Sequence, residues 1–155
     1  MEELPDSNSH YREQEYWDQR YSGSSDSSFE WFGPYAAFSH LLEGPEGRVQ
    51  KWERILVLGC GNSAMSYDMF HGGYRFITNI DYSSVCIENM RSKYSECTSM
   101  EWKMMDARSL EFMNESFDVV IEKGTLDALM VDEKDPWNVS PEGAKVLDQV
   151  LTEVS

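Results

Sequence analysis

Positive charge is what this sequence has least of. Thirteen lysines and arginines stand against 28 aspartates and glutamates in 155 residues, a formal net charge of −15. Binding to nucleic acid draws its affinity from a basic face that neutralises phosphates, so that class of partner is excluded. Long apolar runs are also missing. None approaches the ~18 residues that cross a bilayer. The segment Met1 to Ser7 has neither the basic nor the apolar stretch of a secretory signal. Cysteine is sparse: Cys60, Cys86 and Cys97 are odd in number and scattered. That spacing argues against a disulfide framework and against a zinc site, so no metal is expected. Free thiols in a reducing compartment are the expected state. The sequons Asn114-Glu115-Ser116 and Asn138-Val139-Ser140 then read as chance matches. Together these absences lead us to expect a soluble, cytoplasmic protein that touches neither membrane nor nucleic acid; a monomer is expected, although nothing in the residues fixes the oligomeric state. The acidic surplus either serves solubility alone or steers a basic partner toward the surface.

The length fits one domain, and a composition 41% hydrophobic and 13% aromatic is enough to build its core. Residues 1–10 are polar without periodicity and read as disordered. Residues 11–155 form the expected domain. Its lead segment, 11–45, is rich in aromatics, among them Tyr16, Trp17, Tyr21, Trp31 and Phe32. A serine-rich break at 22–28 divides it into a first helix and a second one starting after Pro34. From residue 50 the pattern changes. Ile55-Leu56-Val57-Leu58 is a short continuous apolar run, the mark of a strand buried on both faces. A helix over 63–71 follows, capped by Asn62 or Ser63 and stopped by Gly72-Gly73. Further strands are expected over 76–80, 100–105 and 117–121. A helix capped by Ser83 or Ser84 fills 83–95, with Val85, Cys86, Met90 and Tyr94 facing inward. Ser140-Pro141 opens a last helix with an apolar stripe of Val146, Leu147, Val150, Leu151 and Val154. Strands alternating with helices in this way give βαβ units, hence an α/β fold with a parallel, Rossmann-like sheet. The last helix would ordinarily lead into a further strand, so the sheet is expected to lack its C-terminal strands.

Ligands of such sheets bind beyond the C-terminal ends of the strands. Four such ends carry notable residues. After the first strand, Gly59-Cys60-Gly61-Asn62-Ser63 lets the backbone turn tightly against a ligand, and the helix behind it presents free amides. After the second comes Asp81, 81 − 59 = 22 residues past the first glycine, the spacing at which an acid accepts from ribose hydroxyls. Asp81 could equally cap the following helix, and Tyr82 either flanks an adenine or is simply exposed. After the third, Asp106-Ala107 suits an adenine amine or a plain turn before Arg108. After the fourth, Glu122-Lys123-Gly124-Thr125-Leu126-Asp127 sits where a reacting group would enter, although Glu122 and Lys123 could also form only a surface ion pair. Gly59 to Ala64 also satisfies the G-x-G-x-x-A form of a dinucleotide fingerprint, which keeps a nicotinamide-dependent oxidoreductase as a rival. More than fifty residues precede the first strand, however, and they bring aromatic faces suited to a sulfonium cation.

The set Tyr16-Trp17-Asp18-Gln19-Arg20-Tyr21, Trp31-Phe32, Ile55 to Ser63, Ile80-Asp81-Tyr82-Ser83 and Glu122 to Leu129 resembles the seven-β-strand methyltransferases that modify lysines of translation elongation factor 1-alpha. The resemblance runs from about Tyr11 to the end. It implies a class I methyltransferase sheet with flanking helices, S-adenosyl-L-methionine as cofactor, and a lysine of elongation factor 1-alpha as target. It implies that Trp17, Tyr21 and Trp31 close over the cofactor, and that Gly59 lies against its methionine part. Asp81 and Tyr82 would hold the ribose region, Asp106 and Ala107 the adenine, and Lys123 would line the pocket near the methyl group. Family domains continue with a fifth parallel strand and an antiparallel pair, and many carry an acid where Val57 stands here. The expected reaction is direct methyl transfer to a neutral lysine amine, with Asp127 or Glu122 as the carboxylate that positions it. The alternative is a catalytically inactive module that binds the cofactor without transferring it.

Overall fold

The computed structural model describes residues 14–22, 35–37, 39–43, 49–113, 115–122 and 141–154, apart from the side chains of 20, 21, 142, 143, 146, 147, 150, 151 and 154. Among these, four strands form one parallel sheet: β1 (Ile55–Leu58), β2 (Ile77–Asp81), β3 (Glu101–Met104) and β4 (Val119–Glu122), in the order β3-β2-β1-β4. The helices are α1 (Gln14–Ser22), α2 (Met65–His71), α3 (Ser84–Lys93) and α4 (Pro141–Val154). The Rossmann-like α/β alternation expected from the sequence is therefore the observed one.

The central position of β1 and β2 explains their composition. Every residue of both strands is buried, whereas β3 and β4 expose part of theirs. β1 alternates between two cores. Ile55 and Val57 join Trp17, Met65, Met69, Tyr74, Ile77, Ile87 and Met90, while Leu56 and Leu58 join Ile80 and Ala107. A strand with both faces covered cannot place polar residues on either, hence the unbroken apolar run. One polar side chain does sit in the middle of β2. Asn79 is fully buried, accepts from the Ser66 hydroxyl and donates to the Glu101 carbonyl at 3.1 Å. It thereby ties α2, β2 and β3 together. On the opposite side of β1, Arg54 pairs with Asp118 through two guanidinium bonds of 3.2 and 3.1 Å and a backbone bond of 2.9 Å, fixing where β4 starts.

β2, β3 and α3 depart from expectation by one or two residues at their ends, β2 leaving out the exposed Phe76 and taking in Asp81 as its last residue, and three further expectations need correction. The second lead helix is instead two short 3-10 turns, Tyr35–Ala37 and Ser39–Leu41. The chain is tied back too soon for a helix to propagate. Leu42 and Glu43 both donate to the Ser39 carbonyl, and the buried Tyr35 donates its hydroxyl to Glu43 at 2.7 Å. Secondly, α2 starts at Met65, and its cap is Ala64 without a side-chain bond. Ser63 accepts from the Met65 amide two residues on, at 3.0 Å, and so closes a turn ahead of the helix. Thirdly, β4 runs to Glu122 and omits Phe117, which packs edge-on against Phe112 at 4.9 Å. The expected α3 cap is found at Ser83, which accepts from the Cys86 amide at 3.2 Å; Cys86, Met90 and Tyr94 are buried and Val85 is partly so. The apolar stripe predicted for α4 lies outside the described side chains. Its exposed Glu153 accepts from the Leu110 amide at 2.8 Å.

Candidate functional site

The strand register brings the two principal candidates together. β1 and β2 pair with an offset of 79 − 57 = 22 residues, the same as that between Gly59 and Asp81. The sequence spacing is thus a consequence of two parallel neighbours ending level. Beyond β1 the chain turns through Gly59 at φ 57° and Gly61 at φ 53°, both in the left-handed region where a Cβ costs roughly 1–2 kcal/mol. The Cys60 amide between them donates to the Ile80 carbonyl at 2.9 Å, which pins the turn to the end of β2.

Asp81 closes the arrangement. Its carboxylate accepts from the Gly61 amide at 3.0 Å and from the Ser83 amide at 3.0 Å. Burial pushes this carboxyl up to about 6; the amide bonds oppose the shift, and the neighbouring Asp18 adds to it. A carboxylate offers about four acceptor positions, so these amides leave capacity for a ligand hydroxyl. The helix-capping role read as its alternative falls to Ser83 instead; Asp81 accepts from the Ser83 amide ahead of α3 and sits beside the glycine turn at a strand end.

The lead helix is docked on the same corner. The Gln14 amide group donates to the Tyr82 carbonyl at 2.7 Å, and the Ser83 hydroxyl donates to Asp18. Asp18 is a residue that sequence reasoning missed; its presence in the Tyr-Trp-Asp-Gln-Arg-Tyr run was the available signal. Trp17 is buried within the main core, with Tyr16 against it edge-on at 5.1 Å. Tyr82 is half-buried, and its phenol is raised by burial first and then by the charge of Asp81, with Asp106 and Asp18 adding and Arg108 opposing. Asp18, Asp81, Tyr82, Asp106 and Arg108 therefore share one corner.

Asp106 lies two residues past β3 and makes the tight turn read as its alternative role. Its carboxylate accepts from the Arg108 amide at 2.8 Å and from the Arg108 guanidinium at 2.8 and 3.0 Å, and those bonds hold it below the usual carboxylate range. Ala107 is buried among Leu56, Leu58 and Ile80. On the far side of β1, Glu122 pairs in register with Leu58, one residue before the glycine turn. The turn is thus flanked by Asp81 on one neighbouring strand and Glu122 on the other. Tyr21 belongs to α1, with its side chain outside the described set. Trp31, Lys123 and Asp127 lie outside the described residues altogether.

The three cysteines are free thiols, and all are buried. Cys60 and Cys86 face each other beside Asp81: the hydrogen bond with Cys86 lowers the Cys60 thiol, but burial and the Asp81 charge outweigh it and push it up, while the same bond and burial both push Cys86 up. No described helix is long and apolar enough to cross a membrane.

Residues 55–149 match a family described as a methyltransferase domain. EEF1A lysine methyltransferase 4 of Bos taurus is 55% identical over 99% of this chain and 59% of its own length, and that of Mus musculus is 54% identical over the same shares. The eEF1A lysine and N-terminal methyltransferase of Homo sapiens is 35% identical over 99% of this chain and 21% of its own length. A solved structure described as "Conversion of a Disulfide Bond into a Thioacetal Group during Echinomycin Biosynthesis" superimposes with a TM-score of 0.54 at 24% identity, covering 76% of this chain and 53% of that one. The chain thus spans about three fifths of the length of the first two relatives.

Proposed function

We propose that this chain, which belongs to the methyltransferase-domain family, binds S-adenosylmethionine at the glycine turn and methylates a lysine of translation elongation factor 1-alpha. The observation that carries the cofactor reading is the bond from the Gly61 amide to the buried Asp81 carboxylate across two adjoining strand ends, at 3.0 Å. That bond holds a left-handed glycine turn and an acceptor for vicinal hydroxyls in one rigid unit. In this reading Gly59 lies against the methionine part, Asp81 accepts from the ribose, Tyr82 flanks the nucleoside, and Asp106-Ala107 borders the adenine. Tyr21, Trp31 and Lys123 complete the enclosure, with Trp17 backing it from the core. When bound, S-adenosylmethionine supplies a methyl carbon made electrophilic by a sulfonium sulfur.

The rest of the work is alignment and proton removal by the chain's own groups. A lysine arrives as an ammonium and attacks only as a neutral amine. Glu122, beside the turn on β4, is proposed to accept that proton, with Asp127 as the second candidate. The target assignment rests on the relatives' named substrate and on the charge of −15, which favours a basic protein surface. We place the reaction in the cytoplasm and the chain there as a monomer.

The test is transfer of radiolabelled methyl groups from S-adenosylmethionine to purified elongation factor 1-alpha. The expected result is label on a lysine of the factor and a sharp loss of transfer in Glu122→Gln. Cofactor binding without any label on the factor would instead identify an inactive binding module.

A further inference from the structure

At the edge of the sheet opposite the glycine turn, α2 ends at His71 and the chain passes from α3 toward β3. Three backbone bonds of 3.0 Å close the passage: Cys97 to Tyr94, Thr98 to Glu96, and Met100 to Cys97. Aromatic rings fix the other side. Tyr67 meets the His71 ring edge-on at 4.3 Å and stacks on Tyr94 at 4.6 Å, and Tyr94 stacks on Trp102 at 6.0 Å. The His71 imidazole, the Glu96 carboxylate and the Cys97 thiol are thus brought together where α2 packs, through Tyr67 and Tyr94, against the segment between α3 and β3. One donor atom from each lies within 4.8 Å of the other two. His71 and Glu96 are exposed while Cys97 is buried, so the cluster has a floor and an open mouth.

We propose that His71, Glu96 and Cys97 form a binding site for a zinc-class dication, with water as the fourth ligand. The donor set of one nitrogen, one oxygen and one sulfur suits a borderline-soft, tetrahedral ion. A neutral imidazole, a carboxylate and a thiolate carry two negative charges and balance a dication. Metal bonds of about 2.0–2.3 Å place tetrahedral donors roughly 3.3–3.8 Å apart, so the cluster needs to contract by at most about 1.5 Å. The exposed side chains of His71 and Glu96 can supply that movement. On binding, the sulfur–hydrogen bond of Cys97 is exchanged for a sulfur–metal bond, and the proton passes to solvent. Scattered cysteines argue against a multi-cysteine site but leave room for one built on a single thiol. Cys60, Asp81 and Cys86 also place donors within 4.8 Å of one another, but all three are buried, and Asp81 already accepts from two amides. The open cluster has the entry path that the closed one lacks.

The experiment is titration of the reduced 155-residue chain with cobalt(II) chloride, followed by zinc(II) displacement. The expected signal is a tetrahedral cobalt spectrum with a thiolate-to-cobalt charge-transfer band that zinc abolishes. His71→Ala and Glu96→Gln alter exposed side chains and spare the core. Each should weaken binding by at least about tenfold, and Cys97→Ser should remove the charge-transfer band. The double variant Cys60→Ser/Cys86→Ser should keep it. Zinc should leave S-adenosylhomocysteine affinity unchanged, which separates this site from the cofactor pocket. A chain that gives no charge-transfer band, or a band that survives Cys97→Ser or disappears with Cys60 and Cys86, would overturn the proposal.

Discussion

Asp81 is the residue on which the site turns, and its chemistry yields a pH dependence of definite sign. Burial raises its folded-state value to about 6, above that of an unfolded chain, so protonation favours the fold. The contribution is complete below about pH 4, is lost as pH rises through about 6, and amounts to roughly 3 kcal/mol. Replacing Asp81 by Asn should therefore flatten this part of the stability profile. Urea melts of parent and variant at about pH 4 and about pH 8 should differ in relative stability by that amount, the parent losing more at the higher pH. Ribose hydroxyls favour the ionised carboxylate, so cofactor affinity should fall as pH drops through about 6. The glycines are as specific. At φ 53°, Gly61→Ala should cost roughly 1–2 kcal/mol, read as a lower denaturant midpoint with unchanged slope. That Gly59 and Asp81 lie side by side was legible in the sequence because the register forces adjoining strand ends to be level. Asp18 was not: nothing in its spacing tells that α1 docks where Ser83 can donate to it.

Among the elements, α3 carries the joints. Ser83 caps the helix through the Cys86 amide and anchors α1 through Asp18. Ser83→Ala should cost about 1–2 kcal/mol in chemical denaturation. It should also increase amide exchange in α1 more than in β1, because its second bond is the tie to the lead helix. Asn79 is the corresponding joint inside the sheet. Asn79→Ala strands the buried Ser66 hydroxyl and removes the tie to the Glu101 carbonyl, at a cost of roughly 1–3 kcal/mol. The parallel sheet and its helices were legible because unbroken apolar runs such as Ile55 to Leu58 occur only where both faces are covered. The lead segment was less so. The residues after Pro34 look helical by composition, but Tyr35, Glu43 and Lys51 form a local knot, with Lys51 also donating to the Gly72 carbonyl at 2.7 Å, that a periodicity reading cannot see.

At the scale of the whole molecule, the charge of −15 makes a kinetic statement. A strongly acidic surface speeds encounter with a basic protein, and salt screens that attraction over a Debye length of about 10 Å at 0.1 M. Transfer to elongation factor 1-alpha should slow as sodium chloride is raised, through kcat/KM rather than kcat. Binding of the small cofactor should respond much less. The central claim, that the glycine turn and Asp81 form a nucleoside pocket, is tested most directly by calorimetric titration of S-adenosylhomocysteine into the parent chain and into Asp81→Asn at neutral pH. The prediction is one-site binding by the parent, weakened at least about tenfold in the variant, whose neutral amide gives up a charge-assisted bond. Equal affinity in both, or a parent chain that binds NAD and ignores S-adenosylhomocysteine, would contradict it.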